Sequence, residues 1–269
     1  MRSGAITFGL CPKLHDDAHR DDIDVICGLM ADDIGRPVEP VIAPSPSALA
    51  DALASGEAQF GWVSPTLLLM SSRLATMVPL LSSVREGAAV FRSVVFACSD
   101  GPRTLDEARG ARAAWVDPTS ASGYLVPRLT MARLGFPLDM LGDEIFVESH
   151  GEVGRAVYEG RADIGGTYAR FRGGDPDGEL LDAGFLDPSF DGEACILATS
   201  GPITADLIAA HPLTPLTTRI AFAAALCRLV HDPTGSTPIR RIIGAEDFHP
   251  VSFAALDELR ELAEAARQL

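Results

Sequence analysis

Residues 52–63, Ala-Leu-Ala-Ser-Gly-Glu-Ala-Gln-Phe-Gly-Trp-Val, have a counterpart at residues 156–167, Ala-Val-Tyr-Glu-Gly-Arg-Ala-Asp-Ile-Gly-Gly-Thr. In both, a helical pattern stops at a glycine, Gly56 or Gly160, and a small-residue turn enters a short apolar strand. The offset of 104 residues is too long for a solenoid repeat. It suits two similar α/β lobes, with a ligand at the carboxyl ends of the strands in a shared crevice. On that logic Ser64-Pro65-Thr66 and Thr167-Tyr168 point toward the same space. Helix–glycine–strand units are common in any α/β protein, so the repeat by itself leaves a single lobe equally open.

Working outward, β-type runs alternate with helical ones, which predicts mostly parallel sheets flanked by helices. Strands are expected at Ala5–Leu10, Val38–Ile42, Phe60–Val63, Val90–Cys98, Ala113–Val116, Ile145–Glu148, Ile164–Thr167 and Cys195–Thr199. Helices are expected at Asp21–Ile34, Ser47–Ser55 and Gly123–Leu134, each ending at a glycine. From Leu216 onward the pattern reads as helices, closing with an amphipathic Phe253–Arg267.

The 269 residues are 47% hydrophobic, which supplies a core and excludes intrinsic disorder. One large or two medium domains fit, because single cores stop growing at roughly 250–300 residues. The net charge of −15 argues against nucleic acid as a partner, since phosphate-backbone affinity needs Lys and Arg. Lys13 is the only lysine, so Schiff-base chemistry would have to use it. Five widely spaced cysteines, with no C-x-x-C, suggest neither a zinc site nor a redox motif, and no cofactor is expected. The apolar run Ile220–Cys227 falls far short of the ~18 residues of a membrane span. The first residues lack the long apolar stretch of a secretory leader. A cytoplasmic location is therefore expected as the sequence stands, or a periplasmic one if a leader has been removed.

Chemistry concentrates at Asp117-Pro118-Thr119-Ser120-Ala121-Ser122-Gly123-Tyr124-Leu125, between an expected strand and a helix. A helix start presents unpaired N–H groups and a partial positive charge, and flanking hydroxyls add donors for a tetrahedral oxyanion. The glycines and lysine of a Walker loop are absent. The same residues also fit an ordinary N-cap at Ser120 or Ser122 and an ordinary Asp-Pro turn.

The run Asp117 to Pro127 resembles the signature of the phosphonate/phosphite/phosphate solute-binding proteins of ABC transporters, which have the type II periplasmic-binding-protein fold. Phe8 to Pro12, Gly56 to Pro65, Ser149-His150 leading to Gly160 to Asp163, and Phe248 to Ser252 resemble further family segments in order. The resemblance implies a two-lobed clamp: lobe 1 from 1–92 and 200–269, lobe 2 from 93–199, with crossovers near 90–98 and 195–200. It implies that Thr119, Ser120, Ala121, Ser122, the Gly123 amide and His150 hold the oxyanion. Ser64 and Thr66 would face it from the first lobe, and Tyr168 could stack on it or fill the core. Two positions depart from the family pattern. Ala121 stands where threonine is frequent, which removes a hydroxyl, and the turn after Ser64 lacks a tyrosine. Cys11, Lys13, Glu148, Asp163, Arg170 and Arg172 are further polar or reactive residues near these segments, each equally readable as structural or solvated.

The expected function is thus a non-catalytic, monomeric solute-binding protein whose lobes close on a small oxyanion. It would serve an ABC permease or, as a sensor, a signalling partner. Neutral hydroxyls and amides act at contact distance, and surface charge is screened beyond roughly 8–10 Å, so the acidic balance permits this. The alternative is a cytoplasmic enzyme on the same fold acting on a carboxylate metabolite, as in chorismate dehydratase. No triad, metal cluster or paired carboxylates support it.

Overall fold

The structure, a computed structural model, describes residues 4–11, 17–85, 87–118, 120–186 and 193–252, and in the C-terminal segment 254, 256, 257, 260, 261 and 264. The chain runs β1 (Ile6–Leu10), α1 (Asp17–Ile34), β2 (Val38–Ile42), α2 (Pro46–Ser55), β3 (Phe60–Val63), α3 (Pro65–Met70) and β4 (Val78–Val84). There follow β5 (Val90–Cys98), β6 (Ala113–Trp115), α4 (Val126–Arg133), β7 (Glu144–Phe146), α5 (His150–Tyr158), β8 (Ile164–Phe171), β9 (Leu180–Ala183), β10 (Ala194–Thr199) and β11 (Ile203–Thr204). It closes with β12 (Leu207–Ala210), α6 (Leu216–Leu229), α7 (Ser236–Ile242) and β13 (Asp247–Pro250). Two compact units result: Met1–Ala89 with Thr204–Leu259, and Val90–Ile203 with Arg260–Leu269. The chain passes between them at Ala89–Val90 and Ile203–Thr204, and β5 and β10 are full strands of the second sheet.

In the first unit the sheet order is β13-β4-β12-β3-β1-β2. Only β3-β1-β2 is parallel; β12, β4 and β13 add antiparallel strands. Both faces are covered, and the period of two shows it: Ile208 and Ala210 pack toward α1, α6 and α7, while Leu207 and Ala209 pack toward α2 and α3. Phe222 of α6 anchors the first face, stacked on Phe60 at 3.8 Å and edge-on to Phe8 at 5.2 Å.

In the second unit the order is β10-β5-β8-β6-β7, with β11 joined to β5 and β9 to β8. Here β8-β6-β7 is parallel, and the pairs β10-β5, β5-β8 and β8-β9 are antiparallel. Val94 and Phe96 pack toward α5, and Val95 and Ala97 pack with Trp115 and Met131 on the side of α4. Arg112 spans β6 and β8: its Nε and backbone N–H donate to Asp163 Oδ2 (3.1 and 2.8 Å) and Nη2 to Oδ1 (2.8 Å). Asp163 is thereby fixed as a structural partner, and the Arg112 hydrogen bonds hold its carboxyl below the usual range.

The repeat is realised in matching backbone bonds. Gly56 and Gly160 stop α2 and α5 in the left-handed region at φ +76 and +71. Ala58 then donates to the Ala52 carbonyl at 2.9 Å, and Ala162 to that of Ala156 at 3.0 Å, the same bond 104 residues on. Gly61 and Gly165 also correspond: a Cβ on the first would lie 2.7 Å from Leu53, and on the second 2.6 Å from Val153 and 3.0 Å from Val157.

Four expectations change. The sheets, expected mostly parallel, are mixed, each with two parallel and three antiparallel pairs among those described above. The region after Leu216 is not all helical: Asp247–Pro250 is an edge strand paired with β4, with Phe248 buried and Pro250 on an edge. The strand expected at Ile145–Glu148 ends at Phe146, because Glu148 adopts φ +68. The helix expected from Gly123 begins at Ala121 with a π-helical turn. The expected Phe253–Arg267 helix falls largely outside the described residues.

Replacing Gly165 by alanine should destabilise the protein by about 1–3 kcal/mol through overpacking. Gly28, in the interior of α1 with open space at its Cβ, should gain about 0.5–1 kcal/mol on the same change; urea midpoints compare the two. Asp163→Asn should lower the midpoint at neutral pH. Because the folded carboxyl is depressed, the ion pair's contribution is full above the unfolded value of about 4 and fades as pH falls through the folded one. The gap between variant and wild type should therefore close in acid.

Candidate functional site

Strand β6 is fully buried and delivers the chain to Val116, after which Asp117-Pro118 leaves the sheet. Ser120 takes an extended conformation (φ −67, ψ 118), and its Oγ accepts from the Gly123 N–H at 3.1 Å, so it is an N-cap in geometry. One π-helical turn, Ala121–Leu125, then runs into α4. Leu125 N–H reaches back to the Ser120 carbonyl at 3.0 Å. The N–H groups of Ala121 and Ser122 sit in this first turn, where a helix offers no carbonyl to them. The Ser122 carbonyl accepts from the hydroxyl of fully buried Ser93 on β5 at 2.7 Å. Ser122 Oγ makes no hydrogen bond among the described residues.

The turn is tied down at its far side too. Val116 N–H donates to the Gly123 carbonyl at 3.1 Å, and the Val116 carbonyl accepts from Glu148 at 2.8 Å. No side chain fits at residue 123, because a Cβ would stand 2.3 Å from Val116 Cγ2. The Gly123 amide, expected among the ligand donors, is thus already engaged by Ser120, while Ser120 keeps its own hydroxyl proton to give. Ala121 is half-buried, and Thr119 lies outside the described residues.

Glu148, left-handed and not a glycine, turns the chain from β7 into α5, a conformation that marks a constrained junction. Ser149 caps α5 by accepting from Glu152 N–H at 3.2 Å. This puts His150 at the first helical position, its Nδ1 2.8 Å from Oγ1 of fully buried Thr167. Tyr168 meets the His150 ring edge-on at 5.0 Å. Arg170 covers Tyr168 at 4.8 Å and is itself ion-paired to Asp182. Burial, with Asp182 adding to it, pushes the Tyr168 phenol above its ordinary pKa. Arg172 pairs with Glu179 at 2.7 Å. Both arginines therefore serve carboxylates of their own unit.

In the first unit, exposed Ser64 caps α3 by accepting from Leu67 N–H at 3.1 Å, with Pro65 at the first helical position and Thr66 half-buried behind it. Ser64 and Thr66 belong to that unit; Ser120 to Gly123, His150 and Tyr168 belong to the second. Cys11 is half-buried, and burial pushes its thiol up; Lys13 lies outside the described residues. Among the described residues no cluster of His, Cys, Asp or Glu could hold a metal ion, and no helix is long and apolar enough to cross a membrane. Sequence reasoning missed Ser93 and Gly184. The signal for Ser93 was a lone hydroxyl ahead of the apolar run Val94–Ala97. Gly184 has room for no Cβ, which would lie 2.1 Å from Thr167 Oγ1 and 2.6 Å from His150 Cβ.

Comparison with solved structures gives the fold. XAC2383 from Xanthomonas citri bound to ATP superposes with a TM-score of 0.73 at 18% identity, over 99% of this chain and 98% of that one. PhnD1 from Prochlorococcus marinus in complex with methylphosphonate gives 0.64 at 11% identity, over 98% and 99%. The periplasmic aliphatic sulphonate binding protein SsuA from Escherichia coli gives 0.54 at 14%, over 98% and 87%. The fold is that of the type II periplasmic binding proteins. The profile of a family described as "ABC transporter, phosphonate, periplasmic substrate-binding protein" matches residues 8–256. Such proteins bind solutes and are not enzymes, which sets aside the dehydratase-like alternative. With two mixed α/β units and a match over nearly its whole length, this chain is a solute-binding protein of the phosphonate ABC-transporter substrate-binding family.

Proposed function

We propose that the protein captures a small solute through a tetrahedral phosphorus oxyanion, of the phosphonate, phosphite or phosphate class, and presents it to an ABC permease outside the cytoplasm. The anion is held by the Ser120 and Ser122 hydroxyls and the Ala121 and Ser122 amides, with His150 beside it. The observation that carries this reading is the turn itself: Ser122 Oγ is without a hydrogen bond among the described residues, and the Ala121 and Ser122 amides lie where a helix leaves N–H groups unpaired. Support also comes from PhnD1 and XAC2383, whose bound methylphosphonate and ATP share a tetrahedral phosphorus oxyanion. Tyr168 completes the proposed contact set of the second unit; Ala121 contributes its amide only.

Calorimetry with methylphosphonate, phosphite, phosphate and methanesulphonate tests the class. Ser122→Ala should weaken phosphonate or phosphate binding by roughly 10–100-fold, the value of one hydrogen bond to a charged group. Tightest binding of the sulphonate, or no binding at all, would count against the reading. Gly184→Ala should push His150 away from Thr167 and cost on the order of tenfold in affinity, since one contact to the anion is lost. Gly151→Ala, with nothing near its Cβ, is the control and should bind as wild type.

A further inference from the structure

The peptide joining Ser122 to Gly123 is bound at both of its polar ends. Its carbonyl accepts from Ser93 Oγ at 2.7 Å, and its N–H donates to Ser120 Oγ at 3.1 Å. The carbonyl and N–H of a trans peptide point in opposite directions, so two such bonds fix the plane between them. Fixing the plane sets ψ of Ser122 and φ of Gly123. Gly123 is the residue of the turn with the most backbone freedom to lose, so the constraint falls where it has most effect.

Ser93 is itself held rigidly. It is fully buried in β5, paired in register with Tyr168 of β8, and its N–H donates to Ser200 Oγ at 2.9 Å. Ser200 N–H returns to the Ser93 carbonyl at 2.8 Å. The Ser93 hydroxyl has a second acceptor, the Thr167 carbonyl, only at the longer distance of 3.4 Å. Its proton is therefore committed to Ser122.

We infer that Ser93 is a positioning residue for the anion turn: through the Ser122 carbonyl it sets the direction in which the Ser122 hydroxyl and the neighbouring amides are aimed. The inference rests on the reading that this turn holds the oxyanion. Ser93 touches no ligand itself. Its effect is preorganisation, because a turn already in its binding conformation gives up less entropy when the anion arrives.

The test uses the full chain, with methylphosphonate and inorganic phosphate as probes, measured well below the unfolding temperature. Ser93→Ala adds no bulk and should weaken both probes about tenfold, while amide exchange at Gly123 quickens. Ser93→Thr, which restores a hydroxyl, should recover most of the affinity. Ser200→Ala removes a buried bond of the same network but leaves Ser93 Oγ on Ser122; it should lower the unfolding midpoint and change affinity by less than about twofold. The idea is overturned if Ser93→Ala binds as wild type, or if Ser93→Ala and Ser200→Ala lose affinity equally, which would mark general loosening. Should the wild type bind neither probe, the oxyanion reading fails on its own. Gly123 exchange in Ser93→Ala then decides the clamp, faster exchange supporting it and unchanged exchange refuting it.

Discussion

Everything in the two sheets hangs on how closely a central strand can approach the helix before it. At Gly61 and again at Gly165 that approach leaves no room for a methyl group, and the helix side chains Leu53 and Val157 occupy the space instead. The strand beyond each glycine is thereby set in height as well as direction. In the second unit this strand is β8, which carries Thr167 and Tyr168, so tight packing in the interior decides where His150 finds its partner. Gly166, under the Trp115 ring at 2.5 Å from its Cζ3 to a hypothetical Cβ, extends the same constraint to the strand that launches the π-helical turn.

The anion contacts proposed on this frame are neutral donors. Several arginines of the second unit are matched to carboxylates: Arg170 to Asp182, Arg172 to Glu179, Arg112 to Asp163. In that proposal binding strength comes from geometry, since hydroxyls and amides reward an anion only at hydrogen-bond distance and alignment. That requirement explains why so many bonds converge on so short a turn. Val116, Ser93, Ser120 and Glu148 all spend backbone or side-chain bonds on fixing it.

Much of this was legible in the sequence, for identifiable reasons. Strands beside a helix-stopping glycine announced themselves, and β2, β3 and β5 have the bounds the pattern predicts. Strand β4 did not, because Pro79 argues against a strand; the sheet accommodates it at a register shift, where Ile208 pairs with Leu81 and Ala209 with Pro79. Strand β12, the four residues Leu-Ile-Ala-Ala, has no periodicity that separates strand from helix. At the site, Ser120 and Ser122 could be read from their place before a helix. The engagement of the Gly123 amide is what an N-cap at Ser120 predicts; the π-helical form of the turn behind it is marked by no local signal. Ser93 is 29 residues away in sequence and is joined to the turn only by the tertiary fold.

The clamped peptide also divides the turn into positions that evolution can and cannot revise. Residue 123 is closed to any side chain, and residue 120 must keep an acceptor for the amide behind it. Residue 121 carries a small, half-buried side chain that takes no part in fixing the backbone, and residue 122 contributes to that fixing through its carbonyl alone. If the turn holds the ligand as proposed, its preferences can be rewritten at 121 and 122 without disturbing the fold, while 120 and 123 stay fixed.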